Sequence, residues 1–193
     1  MKFLITAFLA FTLTCAIASA KITQSTNYNY FAVRGNSALE VYLSLLAHAK
    51  GFGGHNAYAT TVTTISQKTD FNSGKMCKFK NYQINAWFKI TLPKLVSNSG
   101  LSKSDASNWA SFANVLKVHE LHHRQIWLGC ASRFNSEAMN MREQNCATLT
   151  QNYKAMWKKI NENCRNANDA FDLSERTTFL KQPLIRSILK PIK

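Results

Sequence analysis

The sequence predicts an α+β fold in which a small antiparallel sheet packs on long helices. Three observations lead there: segments with the alternating period of strands come first, two long segments with apolar residues at steps of three and four come afterwards, and strict strand–helix alternation is missing. No internal repeat or low-complexity tract breaks this order.

Tyr28 to Arg34 alternates as a strand, and Gly35 turns the chain. Ser37 with Glu40 three residues on forms a capping-box start for a helix through about Lys50, which Gly51, Gly53 and Gly54 end. Ala57 to Ser66, rich in Thr and Val, reads as a second strand, and Gln67 to Lys75 as a polar loop. From Met76 to Leu92 the apolar residues Tyr82, Ile84, Ala86, Phe88, Ile90 and Leu92 alternate over a long strand that Pro93 closes. Ser102 or Ser104 then caps a helix from about Asp105 at least to Gly129, with Trp109, Phe112, Leu116, Trp127 and Cys130 along one stripe. A further helix spans roughly Ala147 to Ala170, placing Leu149, Tyr153, Met156, Trp157, Ile160 and Cys164 on one face.

The amino terminus bears on compartment. Lys2 supplies a positive start, Phe3 to Ile17 is a nearly uncharged apolar run, and Ala18-Ser19-Ala20 offers small residues for cleavage before Lys21. Residues 1–20 therefore read as a secretory signal peptide, with Cys15 inside it, and residues 21–193 as one secreted or periplasmic domain. No second apolar run approaches the roughly 18 residues that span a bilayer.

Cys77, Cys130, Cys146 and Cys164 remain after that cleavage, and an even number in an exported chain implies two disulfides rather than a thiolate metal site. Pairing Cys146 with Cys164 is disfavoured, because 18 helical residues separate them by about 27 Å where a disulfide tolerates less than about 7 Å. The two other pairings stay open on spacing alone.

Lys and Arg number 24 against 10 Asp and Glu, a formal charge of +14 that becomes about +13 without Lys2. Such an excess favours acidic surfaces, an anionic cell-envelope surface among them. The basic residues are scattered without a run of five or six, which argues against a nucleic-acid partner and fits a solvated basic surface. The C-terminal segment, with Lys181, Arg186, Lys190 and Lys193 among Leu184, Ile185, Ile188 and Leu189, reads either as a surface-binding helix or as a terminal helix packed on the domain.

The chemistry lies in His119-Glu120-Leu121-His122-His123, a His-Glu-x-x-His motif. On a helix, residues four apart stand one above the other, so His119 and His123 reach a single ion, and they fall in register with the inward stripe. Zinc suits that pair. Glu120 is aimed beside the ion rather than at it, where a carboxylate can accept a proton from water. The motif thus implies a zinc-dependent hydrolase acting on a peptide or protein substrate, with His122 off the ligand face as an alternative to His123 at spacing three. Tyr58, Tyr82 and Tyr153 are candidates to donate to a developing oxyanion, although tyrosines on packed faces are more often core. By analogy with other zinc peptidases, an extended substrate would pair with a sheet edge, the Ala57 to Ser66 strand.

Over about residues 28 to 172 the chain resembles the predicted secreted zinc-dependent proteases catalogued as domain of unknown function 922. The resemblance rests on Tyr30-Phe31-Ala32-Val33-Arg34-Gly35, Tyr58-Ala59-Thr60-Thr61, Leu92-Pro93, and Trp109-x-x-Phe112 ahead of Val118-His119-Glu120-Leu121-His122-His123. It implies a zincin-like metallopeptidase domain with His119 and His123 as zinc ligands and Glu120 as catalytic base. Cys77 and Cys146-Ala147-Thr148-Leu149 look like the family's cysteine positions, which implies the pairs Cys77–Cys146 and Cys130–Cys164.

The chain departs from the family pattern at its end, where Phe171-Asp172 and Thr177-Thr178-Phe179 stand and no His follows His123. A catalytic zinc takes three protein ligands, so the third here is a carboxylate, an upstream His, or absent, and with two ligands alone zinc affinity would fall. Glu143, 20 residues past His123 as in thermolysin-like peptidases, qualifies only if the chain reverses near Gly129 to Asn135, since a straight helix would carry it about 30 Å away. Glu137, Asp172, Glu175 and His55 are its rivals. Two other classes compete with the peptidase: a secreted binding module that kept the fold without turnover, and a basic envelope- or polyanion-binding protein whose His pair is structural.

Overall fold

The computed structural model describes residues 21–49, 57–96 and 100–189. The candidate signal peptide, His55 in its glycine loop, and Lys190 with Lys193 lie outside the described residues. Seven elements follow in order: β1 (Lys21–Val33), α1 (Ala38–Ala49), β2 (Thr60–Ser73), β3 (Cys77–Leu95), α2 (Lys103–Asn140), α3 (Cys146–Leu180) and α4 (Pro183–Ile188). No helix among the described residues is long and apolar enough to cross a membrane.

The fold is α+β, but the sheet is mixed rather than antiparallel. Its strand order is β1-β3-β2, with β2 antiparallel and β1 parallel to β3. The hairpin explains the correction. A turn at Gly74–Met76 binds β2 to one edge of β3, which leaves the other edge for β1, and β1 runs the same way as β3 because β2 reverses the chain between them.

The strands are also longer than the sequence implied. Gln67 to Ser73 is strand rather than polar loop, because the hairpin arm needs no buried face to pair its backbone with Cys77 to Ile84. β3 runs through Pro93 to Leu95. Past the Thr60–Thr91 pair, β2 has ended, so the N–H that Pro93 lacks has no ladder partner to lose, while β1 pairs on to Leu95. Asn81 adds one residue to β3 between Lys80 and Gln83, opposite the shift from Lys68 to Asp70, and its φ of 52° is the left-handed conformation that Asn tolerates. The inward face therefore changes from odd positions, Cys77 and Phe79, to even ones from Tyr82 to Leu92.

The helix starts follow their caps. Ser37 Oγ accepts from the Glu40 N–H, and the Glu40 carboxylate accepts from the Asn36 N–H. Ser102 caps α2 by accepting from the Asp105 N–H, and Asn145 caps α3 by accepting from the Thr148 N–H. Gly35 fits the β1–α1 corner because an added Cβ would stand 2.5 Å from the Val41 nitrogen. In α4, Leu184 and Ile185 are buried, so the terminal helix turns its apolar face to the domain.

Two cores lie along α2. One joins Val33, Val41, Ile90 and Leu92 to Trp109, Phe112 and Leu116 in its first half. The other joins Phe79, Tyr82 and Ile84 to Phe134, Ala138, Leu149 and Ile160 in its second half and in α3. Between them Arg124 lies over the Phe88 ring and donates to Thr26 and Gln24, tying α2 to β1. The disulfides are Cys77–Cys146 and Cys130–Cys164, with Cα separations of 5.2 and 6.3 Å. They are the pairs the family resemblance implied.

The Asn81 bulge yields a direct test. Asn81→Val should lower stability by about 1–2 kcal/mol, whereas Asn81→Gly should leave it within about 0.5 kcal/mol. Chemical denaturation reads both; a Val variant with the wild-type midpoint would show that the left-handed bulge is not formed.

Candidate metal centre

α2 runs unbroken for 38 residues, through Gly129 to Asn140. Nothing in the surroundings of Gly129 asks for a turn, since an added Cβ there would meet nothing within 4 Å. The reversal that Glu143 needed is absent. Its backbone instead forms an isolated bridge with Cys77, and its carboxylate accepts from Asn152. Glu137 is paired along the helix with Arg133. Neither joins the histidines.

The reversal comes after α2 and returns α3 antiparallel along it. α3 continues 10 residues past its expected end at Ala170, to Leu180, and so carries Asp172 back to the motif. The two helices are stapled by Cys130–Cys164; on α3, Asn168 and Asp172 follow one and two turns later on the same stripe. On α2, His123 and His119 precede Cys130. The result is a ladder of three contacts: Cys130 with Cys164, His123 with Asn168, and His119 with Asp172.

Three atoms converge at its end. His119 Nε2 and His123 Nε2 are 3.0 Å apart, and Asp172 Oδ1 lies 3.0 Å from the first and 2.9 Å from the second. The protons in this cluster can be assigned. Asn168 Nδ2 donates to the Cys164 carbonyl at 2.7 Å, so its Oδ1 faces His123 and accepts from Nδ1 at 2.6 Å. A neutral His123 then presents a bare lone pair at Nε2 to a carboxylate oxygen 2.9 Å away. A proton on His119 Nε2 satisfies one of the three contacts and leaves two acceptors facing each other. A second proton, on His123, serves Asp172 but sets two N–H groups head to head at 3.0 Å. A cation satisfies all three at once.

Two imidazoles and a carboxylate, with nitrogen and oxygen donors about 3 Å apart, suit an ion that binds them at roughly 2.0–2.2 Å and keeps a position open, as catalytic zinc does. Asp172 is 56 % exposed, so the cluster opens to solvent on that side. His123 has the outer hydrogen bond that metal-ligating histidines normally make; His119 Nδ1 is buried with no protein partner. Burial, and then His123, hold His119 below the usual imidazole range against the pull of Asp172.

The rest of the motif faces two ways. Glu120 is 3 % exposed, turned toward β2, where the Thr61 hydroxyl donates to its Oε2 at 2.7 Å. Burial pushes its carboxyl up to about 7, against the downward pulls of Thr61 and His123 and with a further upward push from Asp172. His122 is exposed and stacks on Phe171 at 4.0 Å, away from the converging atoms, so the spacing of three is not used. Phe171 also stacks on His119 at 4.7 Å, and with Val115, Val118, Glu175 and Thr178 it lines a groove of about 380 Å³ beside that ring. Glu175 thus lies near His119 without being one of the three. Tyr82 and Tyr153 share a hydrogen bond of 2.7 Å in the second core, and Tyr58 bonds to Tyr42; all three phenols are held well above their usual range, by burial first. None meets the converging atoms.

Asn168 was not singled out from sequence, and Thr61 stood only within the Tyr58-Ala59-Thr60-Thr61 motif with no role of its own. Asn168 stands four residues from both Cys164 and Asp172, a spacing that marks it once α3 is known to run past Ala170. Thr61 is brought to Glu120 across 59 positions, which no local pattern reveals.

Residues 28–178, from β1 to near the end of α3, match the model of a family described as "Bacterial protein of unknown function (DUF922)". No curated protein and no solved structure matches the chain.

The ladder makes a quantitative prediction. A zinc ion held by the three atoms would bind about 10–100-fold more weakly in Asn168→Ala, would be kept in Asn168→Asp because a carboxylate also accepts from Nδ1, and would be unaffected by His122→Ala. Competition with a chromophoric chelator measures all three; wild-type affinity in Asn168→Ala would remove Asn168 from the centre.

Proposed function

We propose, from the premise that this chain belongs to the bacterial family of unknown function DUF922, that it is an exported zinc-dependent peptidase. His119, His123 and Asp172 hold the ion, and Glu120 is the catalytic base. The observation that carries this reading is the convergence of three acceptor atoms at 2.9–3.0 Å that protons alone do not satisfy. Zinc bound there would lower the pKa of water toward about 7 and polarise a peptide carbonyl.

The chain's own residues supply the remainder. Asn168 fixes the tautomer of His123 and aims its Nε2 at the centre. Thr61 holds Oε2 of Glu120, leaving Oε1 to take a proton from water and return it to the leaving amine. Thr61 belongs to β2, an edge strand whose outer side has no partner strand among the described residues. An extended peptide added along that edge would pass Glu120. Two disulfides, and the absence of a membrane-crossing helix among the described residues, are compatible with an exported protein.

One observation favours a rival, a metal-holding binding module without turnover: at 3 % exposure, Glu120 is shut beneath Thr61. A single pair of proteins separates the two. Zinc-loaded wild type and Glu120→Gln are compared on a fluorogenic peptide library. The peptidase reading expects equal zinc in both, at least about a 100-fold loss of cleavage in Glu120→Gln, and loss with a chelator that added zinc reverses. Equal cleavage by both proteins would overturn it, and full zinc with no cleavage of any peptide would leave the binding module.

A further inference from the structure

Among the described residues, the sheet packs one face on α2 and leaves the other open. In β3 the even positions from Tyr82 to Leu92 are buried, so Asn85, Trp87, Lys89 and Thr91 point outward. Residues paired directly across strands share a face, so the register builds the outer surface row by row. Trp87 stands on the central strand between Ser25 of β1 and Thr64 of β2. In the next row Asn85 stands between Thr23 and Ser66.

Three features set this surface apart. Trp87 is 45 % exposed in the middle of the face, where a ring that size is normally covered. The hydroxyls and amide around it have no side-chain hydrogen-bond partner among the described residues. On a chain of formal charge +14, the rows from Asn85 to Thr91 hold no carboxylate and Lys89 as the single cation, while Lys68, Lys75, Lys78 and Lys80 gather on the hairpin arm beyond.

An exposed indole ringed by uncharged donors and acceptors suits a sugar. The C–H face of a pyranose stacks on the indole, and its hydroxyls bond to Ser, Thr and Asn on the neighbouring strands, each about 5 Å to one side. A protein partner would call for a broader apolar patch, and Val62 is the other large apolar side chain exposed on these rows. A nucleic acid would call for cations. We propose that the open face of the sheet is a binding platform for a neutral β-linked polysaccharide. Trp87 stacks on one sugar ring, and Ser25, Thr64 and Asn85 bond its hydroxyls. The platform lies across the sheet from α2, so it stands independently of the metal centre.

The test titrates the full secreted chain with β-1,4-linked hexasaccharides of glucose and of N-acetylglucosamine, read by calorimetry and by tryptophan fluorescence. Saturable binding to at least one is expected, weakened at least about tenfold in Trp87→Ala, partly kept in Trp87→Tyr, and insensitive to salt. Thermal melting should show all variants folded, and Thr64→Ala offers a milder second probe. The proposal falls if neither sugar binds, if Trp87→Ala binds like wild type, or if added salt abolishes binding and so assigns it to the lysines of the hairpin arm.

Discussion

The antiparallel contact of α2 with α3 is the constraint on which the candidate centre depends. Each helix alone supplies an incomplete set: α2 brings two imidazoles, and α3 brings one carboxylate and one amide. The Cys130–Cys164 disulfide fixes the sliding of one helix along the other. With that register set, helical periodicity places Asn168 opposite His123 and Asp172 opposite His119 without further loop geometry. A shift by one turn would pair His123 with Cys164 or Asp172 and dissolve the cluster. The disulfide thus bears on the site as much as on stability, where closing such a loop contributes about 2–5 kcal/mol.

The sheet and the two cores hold the other side of α2. Leu116 belongs to the first core and Cys130 to the second, so the motif sits at the seam between them, with Leu121 packed against the first. That seam is where polar groups can be buried together with partners. His119 and Glu120 are the buried polar residues of the described chain, the first facing α3 and the second facing β2. The motif's spacing produces this division: positions 119 and 123 share one side of the helix, and position 120 is rotated about 100° toward the sheet.

Much of this was legible in the sequence, and the losses have physical causes. The motif helix, its serine cap narrowed to Ser102 or Ser104, the alternation from Tyr82 to Leu92 and the turn at Gly35 follow from local periodicity and local hydrogen bonding. The parallel placement of β1 was not legible, because alternation reports a buried face and is silent about which neighbour a strand takes. Pro93 misled for a related reason: its cost depends on whether a partner strand is present, and β2 has already ended there. The end of α3 was set too early because Asp169, Asp172, Ser174 and Glu175 make a polar stretch, and the helix continues through it on Phe171 and Phe179, which pack around His119. That one extension decides the third member of the cluster. Asp172 was one of five candidates by residue type, and only the helix register distinguishes it from Glu143 or Glu137.

The central claim is a cation held by His119, His123 and Asp172. Zinc-edge X-ray absorption on the purified secreted chain tests it most directly. The account predicts about one zinc per chain with two imidazole nitrogens and oxygen donors at roughly 2.0–2.2 Å, and zinc affinity at least about tenfold lower in Asp172→Ala. Sulfur in the coordination shell, wild-type zinc affinity in Asp172→Ala, or a folded chain that takes up no zinc would contradict it.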